Sequence, residues 1–326
     1  MGKGVKIIAL IASVLIFLGI IVTVTGLSLG GLNTLTMGPD GLQISYNDEV
    51  TGQINIDKRL QSFDEIEVKL NAYRIMLVEG DEYRVQGVSD TRFDAPYISV
   101  DNGVLKINEY TEMSGENSKW RNLVNRTFLN NSFFRWLVTP NKWGVGIPSI
   151  TITYPKDKHF QNIDIKSAAA TIQLWDVSTD YLQITCDAGD LRLYDTYAEK
   201  MRVGIAAGNF DIRDVTTGSS NISLSAGSFS ATRYNCDGLT CNLDMGSADI
   251  SGILKGNINV QSNMGSVKIY TDLPEDDYVY QASAVMGKVT INGFGGDGTM
   301  RGGSKDAANH IDAKANVGSV TINFAR

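Results

Sequence analysis

From about residue 60 onward, apolar and polar positions alternate in short clusters, and the clusters recur at a fixed interval. Leu182, Ile184 and Cys186 form one such cluster, Leu191 and Leu193 the next, and Met201, Val203 and Ile205 begin the following round. Period two within a cluster is the mark of a strand with one face turned inward. Between clusters stands a small residue: Gly189, Gly208, Gly227, Gly246 and Gly265 are spaced nineteen apart in phrases such as Ala188-Gly189-Asp190-Leu191 and Met264-Gly265-Ser266-Val267. Ala170 holds the same slot one period earlier, Gly287 and Gly318 continue it at longer intervals, and Tyr73 and Gly103 fit it loosely upstream.

The apolar offsets keep step with the slot, at seven, five and three positions before it and at two and four after it. The count across the slot is odd, so a continuous strand would turn its second half outward and the chain must bend there. A small residue permits that corner. A polar return such as Asp195 to Lys200, or Asp214 to Ser220, then closes each round. Two strands and two corners per repeat are too little for a βαβ unit, and stacking in parallel at ~4.8 Å per rung predicts an all-β solenoid of about ten coils. Stacked coils seal one another's apolar side chains into a column that no single coil could bury.

The predicted outward positions are polar. Asp190, Arg192, Asn209, Asp211, Ser228, Ser230, Asp249 and Lys268 lie on one face, and Gln183, Thr185, Thr240, Asn242, Asn259 and Gln261 on another. Such surfaces suit solubility, and a flat polar ladder could also dock carbohydrate.

Two segments break the pattern. Residues 7–29 carry no charge and are rich in Ile, Leu, Val and Phe, long enough to cross ~30 Å of hydrocarbon as a helix. Lys3 and Lys6 precede this run and no basic residue follows before Lys58, so residues 1–6 are expected in the cytoplasm and everything after the span outside it. A cleaved signal peptide is the competing reading of the same run. Residues 30–51 then form a linker, and 52–326 the repeat domain.

The second segment, 117–143, interleaves aromatic residues with five basic ones and no acid. Its spacing predicts an inserted amphipathic helix. Such a helix could cap the stack, or touch a membrane or partner through Trp120, Arg121, Arg126, Phe128, Arg135 and Trp136.

Composition narrows the function. Net charge is −7, and apart from Lys3, Lys6 and the five basic residues of 117–143, 22 basic residues face 36 acidic ones, a balance that repels nucleic acid. Cys186, Cys236 and Cys241 include no CxxC pair; a Cys236–Cys241 bridge and buried free thiols both remain open. The two histidines, His159 and His310, show no metal-ligand spacing, and no hydrolase, zincin or phosphate-loop motif is present. Gly293 to Gly298 is expected to be a flexible excursion. Glu275, Asp276 and Asp277 could loosely hold calcium but read more simply as solvated. Asp176, Asp195 and Asp214 stack six residues after the slot, either as turn residues or as the acids of a glycan-cleaving enzyme. Neither a catalytic residue nor a cofactor or metal is predicted.

Phe63-Asp64-Glu65-Ile66, Val78-Glu79-Gly80-Asp81 before Tyr83-Arg84-Val85, Val100-Asp101-Asn102-Gly103-Val104-Leu105-Lys106-Ile107, Ile150-Thr151-Ile152-Thr153-Tyr154-Pro155 and the Ala-Gly repeats together resemble the toast-rack, or adhesin-like, domain of bacterial β-strand repeat proteins. The resemblance spans roughly residues 52–324. It implies a right-handed β-solenoid in the bacterial cell envelope, a non-enzymatic scaffold, sensor or adhesin-like module. Its expected contacts are the membrane, through the N-terminal helix, and an envelope protein or a cell-wall glycan. A glycan-binding surface adhesin and a polysaccharide-active enzyme are the alternatives.

Overall fold

The structure is a computed structural model that describes residues 35–38, 41–44, 53–90, 95–108 and 148–325. The predicted membrane span, the 117–143 helix and its six contact residues lie outside the described residues. Among the described residues no helix is long and apolar enough to cross a membrane. The chain divides into two units, the first comprising residues 1–52 and 112–146. Within it, β1 (Leu35–Gly38) and β2 (Gly41–Ile44) form an antiparallel pair.

The second unit is all β and mostly parallel. It opens with β3 (Gln53–Arg59), β4 (Glu65–Gly80), β5 (Arg84–Asp90), β6 (Tyr97–Asp101), β7 (Val104–Asn108) and β8 (Ser149–Pro155). Strands β7 and β8 pair in parallel with the two halves of β4, either side of Tyr73, while β3, β5 and β6 add antiparallel strands at this end. Tyr73 pairs with Ala170, so the weakest slot in the sequence does belong to the row. Gly103 does not: Val104 pairs with Glu65, which leaves Gly103 at the β6–β7 turn, with φ 78°. The hairpin-like phrase around it is the hairpin β6–β7.

The regular stack runs through β9 (His159–Trp175), β10 (Ser178–Ala188), β11 (Leu191–Tyr194), β12 (Tyr197–Ala207), β13 (Phe210–Arg213), β14 (Thr216–Ala226) and β15 (Phe229–Met245). Each residue pairs in parallel with the one nineteen further on: Ile184 with Val203, Val203 with Ile222, Ile222 with Cys241. The repeat period is thus the hydrogen-bonding register. Phe210 stacks on Phe229 at 5.2 Å inside the column, and Ile165, Ile184, Leu191 and Ile222 are fully buried.

Three faces, not two, enclose the column. The expected polar return is itself paired: Tyr197 registers with Ser178 and Thr216, and Thr196 and Ala198 are buried. The first face carries the residues before the slot, the second those after it, and the third this short segment. Hydroxyls let the third face remain polar in sequence: the Thr196 hydroxyl donates to the Tyr194 carbonyl at 2.9 Å, and Tyr234 shares hydrogen bonds with Thr217 at 2.8 Å and Ser220 at 2.5 Å. Asp176, Asp195 and Asp214 make the corner into it, at φ 56°, 48° and 56°. Aspartate tolerates this left-handed conformation better than most residues.

The last strands are β16 (Ala248–Met264), β17 (Val267–Pro274), β18 (Tyr278–Ile291), β19 (Phe294–Gly303), β20 (Asn309–Val317) and β21 (Val320–Ala325). Here the sequence order and the spatial order part. β20 pairs with β16 on one side and β18 on the other, and β21 lies likewise between β17 and β18. The slot row therefore reads Gly246, Gly265, Gly318, Gly287. The chain climbs past one rung after a 3-10 turn at Glu275–Asp277, and its own C-terminal segment fills the gap. Of Gly293 to Gly298, expected as an excursion, Gly293 lies in the turn after β18 and Phe294 to Gly298 open β19, which pairs antiparallel with β18 at the end of the stack.

Candidate functional site

Glycine at the slot is dictated by backbone approach. At Gly208 φ is 147°, and an added Cβ would collide with the carbonyl oxygen of Gly189 one rung below; at Gly318, φ 142°, it would collide with that of Gly265. The N–H of Gly189 donates to Ala207 at 2.9 Å and that of Gly208 to Ala226 at 2.9 Å. Ala170, Gly189, Gly208, Gly227, Gly246, Gly265, Gly318 and Gly287 are thus one structural corner row. It shapes the surface but presents no chemistry of its own.

What the stacking displays is the first face. Outward side chains fall into register as an unbroken polar row: Lys106, Glu67, Asp164, Gln183, Arg202, Asn221, Thr240, Asn259, Asp312, Gln281 and Arg301. A second row beside it runs Lys69, Lys166, Thr185, Gly204, Ser223, Asn242, Gln261, Lys314, Ser283 and Thr299. The sequence marked Gln183, Thr185, Thr240, Asn242, Asn259 and Gln261 for this face, and all six lie in these rows. It could not place Asp312, Gln281 and Arg301 beside Asn259, since that depends on the rung order.

Side chains of this face hold one another. Lys166 bonds Asp164 at 2.6 Å, Tyr181 donates to Gln183 at 3.0 Å, Gln261 to Asn259 at 3.1 Å, and Arg301 through Nε to Gln281 at 2.7 Å. Lys69 hydrogen-bonds Glu67, which holds its ammonium above the ordinary lysine range. Where the β19 hairpin rises beside the face, an open groove of about 510 Å³ is lined by Asn257, Asn259, Gln281, Arg301, His310 and Asp312 among others. Amides, a carboxylate, a guanidinium and an imidazole together can donate and accept hydrogen bonds.

A second cluster escaped the sequence reading. His159 Nδ1 lies 2.8 Å from Ser178 Oγ and its Nε2 2.8 Å from Asp180 Oδ1. The signal was present in the chain, because Ser178 follows His159 by one period. The cluster is an exposed hydrogen-bonded rung.

The remaining candidates resolve by contact. Asp214 pairs with Arg233, which occupies the next corner position at φ 51° and keeps the Asp214 carboxyl below the usual range through its hydrogen bonds. Asp195, at φ 48°, is a corner residue of the same kind. Glu275 accepts from Tyr280 at 2.6 Å and from Asn292 at 2.8 Å. Among the described residues no group of three His, Cys, Asp or Glu side chains could hold a metal ion. All three cysteines are free and buried, and burial pushes the Cys236 thiol up to about 12 and Cys241 higher still.

A parallel stack of short β repeats, closed around an apolar column and displaying polar rows, defines a solenoid-type repeat protein. The chain belongs to the Toastrack DUF4097 family, whose model matches residues 65–323. Several solved structures are similar, three of them as follows. One is a "putative adhesin" from Bacteroides fragilis, 12% identical, covering 84% of this chain and 97% of its own, with a TM-score of 0.44. Another "putative adhesin", from Parabacteroides merdae, is 8% identical over 86% of this chain and 98% of its own, at 0.38. A "putative lipid binding protein" from Parabacteroides distasonis is 12% identical over 86% and 98%, at 0.34. No curated protein matches the chain.

Proposed function

We propose that this protein is a non-enzymatic binding module of a bacterial envelope, a right-handed solenoid standing outside the cytoplasm, tethered by residues 7–29 and engaging an envelope protein through its first face. The observation that carries the reading is the register of that face. Pairing at nineteen residues places equivalent positions side by side at ~4.8 Å, so an extended partner meets an outward polar side chain of the first row at every rung. The uncharged run of residues 7–29, with lysines only before it, supports the tether and its orientation. A photo-crosslinking residue in place of Asn221, in intact cells, is expected to capture one discrete protein adduct that the same probe in place of Asp211 does not. Equal capture at both positions, or none, contradicts the reading.

A glycan ligand is the second reading, favoured by the groove beside β19. The purified full chain would then bind a defined set of glycans on an array, and Arg301→Ala with Asp312→Ala would weaken that binding at least about tenfold, since each substitution removes a charge-assisted hydrogen bond.

A further inference from the structure

Strand β19 ends the stack, and among the described residues it pairs with β18 alone. Its outer edge carries no proline or lysine, the residues that commonly guard such an edge. Its sequence is close to self-complementary about Thr299. Gly295-Gly296 lies on one side and Gly302-Gly303 on the other, and Asp297 stands two residues before the centre where Arg301 stands two after. In an antiparallel pair of identical strands centred on Thr299, each Asp297 faces an Arg301. Both charges are on the outward side, since Asp297 is opposite Lys288 and Arg301 opposite Gln281, while Met300 packs against the core.

A second observation falls at the same point. β18 pairs with β19 up to Ser283 opposite Thr299 and again from Lys288 opposite Asp297, and the corner between them is unpaired on that side. This corner holds Val285 and Met286, which are 70% and 63% exposed although apolar. Met286 continues a row of exposed apolar side chains through Val317, Met264 and Met245. The centre of the self-complementary strand is therefore flanked by two strongly exposed apolar residues of the last coil.

We propose that two copies of this chain join end to end by antiparallel pairing of β19 with β19, on a two-fold axis at Thr299, with Asp297 of each copy opposite Arg301 of the other and Val285 and Met286 covered at the joint. A two-fold contact closes on itself and stops at two copies.

The test uses the full chain in its membrane and after detergent extraction. With the three native cysteines buried, Thr299→Cys should be linked into a dimer by a short bis-maleimide, whereas Asp249→Cys, exposed in mid-stack, should not. Asp297→Arg in the Thr299→Cys background should lower linking roughly tenfold, because two opposite-charge pairs become like-charge pairs, and the double reversal Asp297→Arg with Arg301→Asp should restore it. Restoration also shows that the single reversal had not unfolded the protein. Linking at Thr299 no stronger than at Asp249, a failure of the double reversal to restore it, or a ladder of higher species overturns the proposal.

Discussion

The backbone N–H of Gly265 donates to the carbonyl oxygen of Val317 at 2.9 Å, and the N–H of Gly318 donates in turn to Met286 at 3.0 Å. The end of the chain is thereby locked between two coils that precede it in the sequence. Until β20 and β21 arrive, β16 and β18 have no partner between them.

Substitution in the corner row should therefore be costly in proportion to backbone approach. Gly318→Val and Gly208→Val combine positive φ with a collision against a carbonyl oxygen and should each lose about 3 kcal/mol or more in urea unfolding. Gly204, with open space around a Cβ and no positive φ, is the control: Gly204→Ala should be neutral or stabilising by up to about 1 kcal/mol. Equal losses at 204 and 208 would show that glycine is not required by the corner.

The inward register can be tested with two adjacent residues. Ile212 is buried and Arg213 exposed. Ile212→Asp puts an unpaired carboxylate into the column and should abolish cooperative unfolding, while Arg213→Asp should shift stability by only about 0.5 kcal/mol.

Alkaline pH should destabilise the fold through its buried acids. Cys236, pushed up to about 12 from 9.0, and Tyr278, pushed up to about 12 from 10.0, both have desolvation as the leading cause. A folded-state value above the unfolded one means that the native state binds the proton more tightly. Its contribution is complete below the unfolded value and is lost as pH rises through the folded one. The urea midpoint should hold up to about pH 9 and fall steadily between there and about pH 12, with thiol labelling of all three cysteines appearing only as the protein unfolds. A midpoint that rises in this window contradicts the burial.

The sequence by itself determined the stack. Because a rung's neighbours along the chain are also its neighbours in space, an interval of nineteen residues is at once a pattern of apolar positions and a hydrogen-bonding register, and spacing alone aligns Leu182, Met201 and Ser220 in one row. Face assignments at Gln183, Thr240 and Asn259 followed from the same arithmetic. The third face was hidden because Thr196 and Thr217 bury hydroxyls bonded to the Tyr194 carbonyl and to the Tyr234 hydroxyl, so these inward positions read as polar. The order of the last rungs was decided only by the tertiary structure. The interval from Gly265 to Gly287 has three residues more than the repeat, enough for an extended chain to gain ~10 Å and skip a rung, but equally enough for a loop. Only the presence of β20, with its own edges to satisfy on both sides, selects between them, and with it come the neighbours of Asn259 in the groove and the exposed strand at the end of the stack.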